Sequence, residues 1–486
     1  MLRKSHYEDT LNKINGSMLD IKKRELKNGT EKIAFLYIEQ LTDKIMLAND
    51  IIKPVTLYVS QKDGVGTNAQ EVFDSIIYGS DCIIDEDEYK LIDYILKGMT
   101  IVMFSQDKQY IVVNIKKVEK RAITNPELTF TLRGPRDSFN ENLDTNLSLV
   151  RYRIKDPTFK VNMLEVGRRT KTRLAILHIG DIANDGIVQD ITNRIQKIDV
   201  DGIIDSGEIQ NLILNKETNL FPQMGVVERS DMAAEALLEG KVIVLVEGSP
   251  LALVAPKVFS EFFESCEDTY DNKFIAILYK YVRMYSAFLS VSITAFYVAV
   301  LSFHVDTLTT DFIIGINNAG QGVPFTVLVG AIILEMIMEI LRESLIRIPK
   351  QIGPAIGIVG GLVIGQAAIA AKLFSPLLLI VVALSLLCSF TAPDFTIMNP
   401  LRIIKFFLII ISGCFGLIGF TLGISIVLIN MISTSTFGVP YLAPFAPFNW
   451  KDFKSTILYG KDISHLRPNF LKTKDNTRSK AEKKKS

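Results

Sequence analysis

Read as a pattern of apolar and polar positions, the chain has two unlike halves. Up to about Tyr281, short apolar runs alternate with charged stretches. From Met284 to Ser433 the apolar runs lengthen to the roughly 20 helical residues needed to cross about 30 Å of hydrocarbon.

In the first half, KIAFLYI (Lys32 to Ile38) reads as a strand and Glu86 to Gly98 as an amphipathic helix with an acidic N-terminus. MTIVMFS and QYIVVNI read as two strands joined by a turn near Asp107. Residues 1–30 are polar and Lys-rich, a loose or helical lead-in. A first small α/β subdomain therefore covers 31–135, followed by a polar connecting segment, 136–160, full of helix starts. A second α/β subdomain covers 161–275, with strand Arg173 to Ile179, helices Asp185 to Ile198 and Ser230 to Gly240, and strand Lys241 to Glu247. Gly240 is a helix stop, and the alternation suggests a small sheet covered by helices.

The second half, 283–433, reads as an all-α multi-pass membrane domain of about five spans. These are Met284 to Phe303, Pro324 to Leu341, Ala355 to Ala371, Pro376 to Thr391 and the long stretch Ile403 to Ser433. The loop His304 to Val323 has no Lys or Arg, so it faces away from the cytoplasm, whereas Arg342, Arg347, Lys350, Arg402 and Lys405 mark the cytoplasmic side. The last stretch has two solutions. Gly413, Gly416, Gly419 and Gly423 let it bend into a re-entrant pair, or it crosses once and Thr436 to Trp450 threads back extended, buried against protein. Residues 434–486 are a Pro-containing segment and a basic tail, whose side stays open.

Composition adds exclusions. The 486 residues are 48% hydrophobic with a formal net charge of +1, averages that hide the two halves. Met1 to Arg24 has no apolar run of the secretory type, so the soluble half is expected in the cytoplasm. Four widely spaced cysteines give neither a disulfide framework nor zinc spacing. DGVGTNAQ (Asp63 to Gln70) lacks the Lys-Ser/Thr of a phosphate cradle, and the acidic run Asp85 to Glu88 reads as a solvated helix N-terminus. His178, alone on its strand, reads as a hydrogen-bonded structural histidine. No enzyme, metal or cofactor is expected, and nothing calls for nucleic acid as a partner.

Two patterns carry the functional reading. Gly353, Gly357, Gly361 and Gly365 recur every four residues, a ridge that lets helix backbones approach closely in lipid. The ridge packs either within one subunit or between subunits of a ring. In a ring, Val359, Val363, Gln366 and Ala370 on the opposite face turn toward a central axis as pore or gate candidates. Glu335, Glu339 and Glu343 also recur every four residues, so they share one helix face. Carboxylates in lipid face a partner, a bundle interior or water. Salt bridges to Arg342, Arg347 or other basic residues, protonation, and a cation path of stacked acidic rings are the three readings.

Several stretches together resemble the A subunits of spore germinant receptors, the GerA spore germination family. They are RGPRDSFNENLDTNLSLVRYRI (Arg133 to Ile154), FPQMGVVERSD (Phe221 to Asp231), EGKVIVLVEGSPLALVAP (Glu239 to Pro256), EILRESLIRIPKQIGPAIGIVGGLVIGQAA (Glu339 to Ala368) and GVPYLAPFAPF (Gly438 to Phe448). The loop HVDTLTTD (His304 to Asp311) departs from the family pattern in lacking Pro. The resemblance implies a cytoplasmic N-terminal region and a multi-pass region in the spore inner membrane. It also implies a nutrient-binding, transporter-like B subunit, a lipid-anchored C subunit, and copies of the chain in a ring, proposed to be pentameric. That ring conducts monovalent cations to start germination. A secondary transporter, a scaffold, and a paralogue acting with the dipicolinic acid release machinery are the alternatives.

Overall fold

The computed structural model describes residues 7, 21–28, 31–61, 68–77, 81–117, 126, 134–214, 220–348, 365–458 and 466–478. The chain forms two compact units, one of residues 1–216, 226–256 and 465–486, the other of 217–225 and 257–464.

The first unit holds two five-stranded sheets. In the first module β1 (Ile21–Asn28), β2 (Glu31–Ile38), α1 (Lys53–Gln61), α2 (Ala69–Ser75), β3 (Cys82–Asp85), α3 (Glu88–Leu96), β4 (Thr100–Phe104) and β5 (Tyr110–Val113) follow in order. Their strand order is β1-β2-β4-β5-β3, all antiparallel. Helices cover both faces: Phe35, Val102 and Ile111 pack with Val55 and Val72, while Leu36, Ile101 and Val112 pack with Leu91 and Ile95. Burial on two sides is why β4 and β5 read as continuous apolar runs rather than alternating ones. The sheet starts at Ile21, inside the stretch read as a lead-in. β1 is an edge strand, mostly exposed, and its charges IKKRELKN hide a strand from hydrophobic patterning while guarding the edge.

The connecting segment contains α4 (Leu143–Arg153), started by the Asn142 side chain, with Leu143, Leu147 and Val150 in the core. The second module then runs β6 (Phe159–Val166), β7 (Thr172–Ile179), α5 (Asp185–Gln196), α6 (Ser206–Ile213), β8 (Gly225–Val227), α7 (Ser230–Leu238), β9 (Val242–Val246) and β10 (Ala252–Ala255). Its order, β6-β7-β9-β10-β8, repeats that of the first module. The register repeats as well: the third residue of β2, Ile33, faces the last of β4, Phe104, and the third of β7, Leu174, faces the last of β9, Val246. Tail residues 466–478 lie on this module. Arg467 Nε donates to the Leu238 carbonyl at 2.8 Å and Lys474 N to the Ile182 carbonyl at 3.0 Å.

The second unit is a helical bundle of α8 (Lys273–Phe303), α9 (Thr310–Gly320), α10 (Val327–Arg347), α11 (Pro376–Ser389) and α12 (Met398–Ser433), with residues 365–370 also helical. Among the described residues two helices, Phe274–Phe303 and Phe395–Ser433, rather than about five, are long and apolar enough to cross a bilayer. Two features set the other expected spans apart. α10 carries Glu335, Glu339, Arg342, Glu343 and Arg347. α11 has 14 residues and reaches only about 21 Å. Most of the third expected span lies outside the described residues.

The long α12 takes the re-entrant route. Gly416, at φ 62° and ψ −142°, breaks it into two arms. A Cβ on Gly419 would stand 2.3 Å from the Ile411 carbonyl oxygen, and one on Gly423 2.5 Å from Leu408 Cδ2, so the second arm runs back along the first. Each arm is about 26 Å long. The turn meets the end of α8, where a Cβ on Gly416 would stand 2.8 Å from His304 Cε1. Gly413 beside Leu328, and Gly330 beside Phe374 and Leu378, place the starts of α10 and α11 at that same end.

The segment Thr436 to Trp450 does not thread back through the bundle. It turns through a two-residue hairpin, and fully buried Tyr441 accepts from Phe259 N at 2.8 Å. Its ring stacks among Phe221, Phe259 and Phe262 at the base of α8.

Candidate functional site

The glutamate stripe of α10 faces the bundle interior, where its members have different surroundings. Glu335 is 0% exposed. Its Oε1 accepts from the Thr294 hydroxyl of α8 at 2.8 Å, and its Oε2 lies 2.6 Å from Lys405 Nζ in the first arm of α12. One carboxylate thus ties three helices, with hydrogen bonds on both oxygens offsetting part of its desolvation. One turn on, Glu339 lies 3.8 Å from Lys405 Nζ, 3.8 Å from Arg402 Nε and 3.5 Å from Arg342 Nη1. Arg342 is also buried. It donates to Ser389 Oγ at 2.7 Å and lies 5.0 Å over the Phe390 ring. This lower tier is held mainly by charge: Glu339 Oε1, Arg342 Nε and Nη1, and Arg402 Nε are buried without a hydrogen bond. Glu343 is exposed and pairs with Arg347 at 2.7 Å on its own helix.

The stripe is therefore neutralised within one chain, fully buried Glu335 and half-buried Glu339 facing three cationic groups. The reading by residue spacing includes salt bridging to Arg342, Arg347 or other basic residues; the structure names Lys405 and Arg402 among them and adds the Thr294 hydroxyl. Lys405, with Arg402 three residues before it, falls in the apolar run RIIKFFLIII as a marker of topology; cations in such a run equally signal a buried carboxylate elsewhere.

Of the other candidates, Val359, Val363, Gly353, Gly357 and Gly361 lie outside the described residues. Gln366 and Ala370 are exposed, and a Cβ on Gly365 would meet only Leu379, at 3.6 Å.

His178 departs from its expected role. It is 5% exposed, yet its Nδ1 has no hydrogen-bond partner. Burial, with Lys160 close by, pulls the imidazole from 6.5 to about 4. The unfolded chain therefore takes up a proton near pH 6.5 that the folded module refuses until about pH 4. This contribution to stability is intact above the unfolded value and falls as pH drops through that window. Thermal unfolding midpoints of His178→Leu measured at about pH 7 and about pH 4.5 should differ less than those of the unaltered chain. Equal pH sensitivity would show that His178 is not the group titrating.

Comparison with known proteins agrees with the resemblance. The family described as Bacillus/Clostridium GerA spore germination protein matches residues 9–467. Spore germination protein KA of Bacillus subtilis (strain 168) is 34% identical over 446 residues, 91% of this chain and 81% of that protein. Spore germination protein GerQA of Bacillus cereus is 35% identical over 457 residues, 93% of this chain and 90% of that protein. The crystal structure of the N-terminal domain of the A subunit of the Bacillus megaterium spore germinant receptor GerK3 is 25% identical. It covers 52% of this chain and 94% of its own, with a TM-score of 0.40. With the match running through both units, the chain belongs to the GerA family of spore germination proteins.

Proposed function

We propose that the chain is the A subunit of a spore germinant receptor, a multi-pass protein of the spore inner membrane with its two α/β modules in the cytoplasm. Copies assemble as a ring, and the ring conducts monovalent cations when nutrient binds a transporter-like B subunit, with a lipid-anchored C subunit completing the complex. The observation that carries this reading is the family match over residues 9–467, which takes in both modules and the bundle together.

The charge network gives the reading a resting state. With Glu335 held by Lys405 and Thr294, and Glu339 among Lys405, Arg402 and Arg342, a protomer at rest offers cations no free acidic lining from these two residues. Opening separates carboxylates from cations as helices shift, and Glu343 at the exposed end of the stripe attracts cations. Val359 or Val363 forms the apolar constriction, and exposed Gln366 and Ala370 face neighbouring copies or the axis.

Spores deleted for this gene and given it back should regain nutrient-triggered potassium release. Val363→Ala should raise release without nutrient. A returned gene that restores no nutrient response would overturn the receptor reading, and a Val363→Ala spore as tight at rest as its parent would remove Val363 as the constriction.

A further inference from the structure

Because the two modules share topology and register, equivalent positions can be compared. In the first, Lys22 of β1 faces Tyr37 of β2, and Glu39, the residue just past β2, pairs with Lys44 at 2.7 Å and Lys22 at 3.7 Å. In the second, Lys160 of β6 faces His178 of β7 in the same register, but the residue just past β7 is Gly180. No carboxylate among the described residues pairs with Lys160, and its Cε and Nζ lie 2.8 and 3.3 Å from where a Gly180 Cβ would stand.

The second cation is also kept, from a different source. Lys44 directly follows the helix cap Asp43, and the equivalent residue after the cap Asn184 is Asp185. The tail supplies the missing ammonium: Lys474 Nζ donates to the Gly180 carbonyl at 2.8 Å and to Asp185 Oδ1 at 2.7 Å, which leaves its third N–H uncommitted. The second module thus keeps both ammonium groups of the first and lacks the carboxylate that bridges them there. Beside the gap lies a cleft of about 330 Å³ lined by Lys160, Asn162, His178, Asp185 and Gln189 with Val161 and Val188, and Lys474, paired to Asp185, stands at its edge. His178, 5% exposed and neutral at physiological pH, forms its buried wall.

We propose that this cleft binds a small oxyanion, a carboxylate or a phosphate, where Glu39 places its own carboxylate in the first module. Lys160 and Lys474 bridge the anion, and the His178 ring closes the inner side of the cleft. The site stands independently of the receptor reading, since it rests on the soluble unit alone.

The test titrates the full chain in detergent micelles with inorganic phosphate and, separately, with acetate, followed by calorimetry. At least one anion should bind saturably, and the two arms tell phosphate from carboxylate. Losing one charge-assisted contact in Lys160→Gln should weaken binding about tenfold or more, while Lys160→Arg keeps it within about threefold. Gly180→Glu should abolish binding by supplying the carboxylate from the chain. Should that variant fail to fold, the Lys160 pair decides alone. Absence of saturation with both anions, or equal affinity in Lys160→Gln and Lys160→Arg, overturns the proposal.

Discussion

Lys405→Met is expected to destabilise the bundle by about 3–5 kcal/mol, because it leaves a carboxylate with no exposure and no counter-charge at hydrogen-bonding distance. Glu335 would keep only the Thr294 hydroxyl, too little to offset the desolvation of a buried carboxylate. Glu335→Met should be damaging from the other side, leaving buried Lys405 with Glu339 at 3.8 Å in place of its 2.6 Å partner. The double variant Glu335→Met/Lys405→Met should recover most of the loss, since apolar side chains of similar volume often replace a buried pair at little cost. Thermal unfolding of the purified chain in detergent reads all three. If the double variant unfolds as readily as the sum of the singles, the pair is not what ties α8, α10 and α12 together.

The second large effect is expected at Gly416. Its backbone lies in a region open essentially to glycine alone, and a Cβ there would meet His304 Cε1 at 2.8 Å and Phe303 Cβ at 3.0 Å. Gly416→Ala should therefore cost about 3 kcal/mol or more, strain and collision together, as the two arms lose their turn. Gly315→Ala in α9 is the control. A Cβ there meets nothing within 4 Å, the backbone is helical, and the change should be neutral or stabilising by up to about 1 kcal/mol. If the two alanines shift the thermal midpoint alike, the hairpin does not depend on Gly416.

The sequence pattern reached the elements whose burial is strongly one-sided or continuous. α3 and α5 show a helical stripe, and β2, β4, β5, β7 and β9 are apolar runs of strand length bounded by polar turns. It missed elements stabilised by what they pair with. β1 and β6 are exposed on one or both faces, and β8 and β10 are too short to show a period. The repeated topology was invisible because Lys22 aligns with Lys160 while Tyr37, Glu39 and Lys44 align with His178, Gly180 and Asp185. Sheet order survives that degree of change and local sequence does not. In the bundle, the spacing of glutamates gave their common face but not their partners. Lys405 lies 70 residues from Glu335, a separation that no local period encodes. The bend at the glycines of α12 was legible as one of two routes, and the steric demand at Gly416 decides between them.

The tail strap also fixes an order of events. Lys474 reaches Asp185 and Gly180 across 289 and 294 residues of chain, so during synthesis the second module waits with that edge open until the whole helical bundle has been made. Its last contacts can close only once residues beyond the bundle have been made, and a chain stalled within the bundle would carry an incomplete second module.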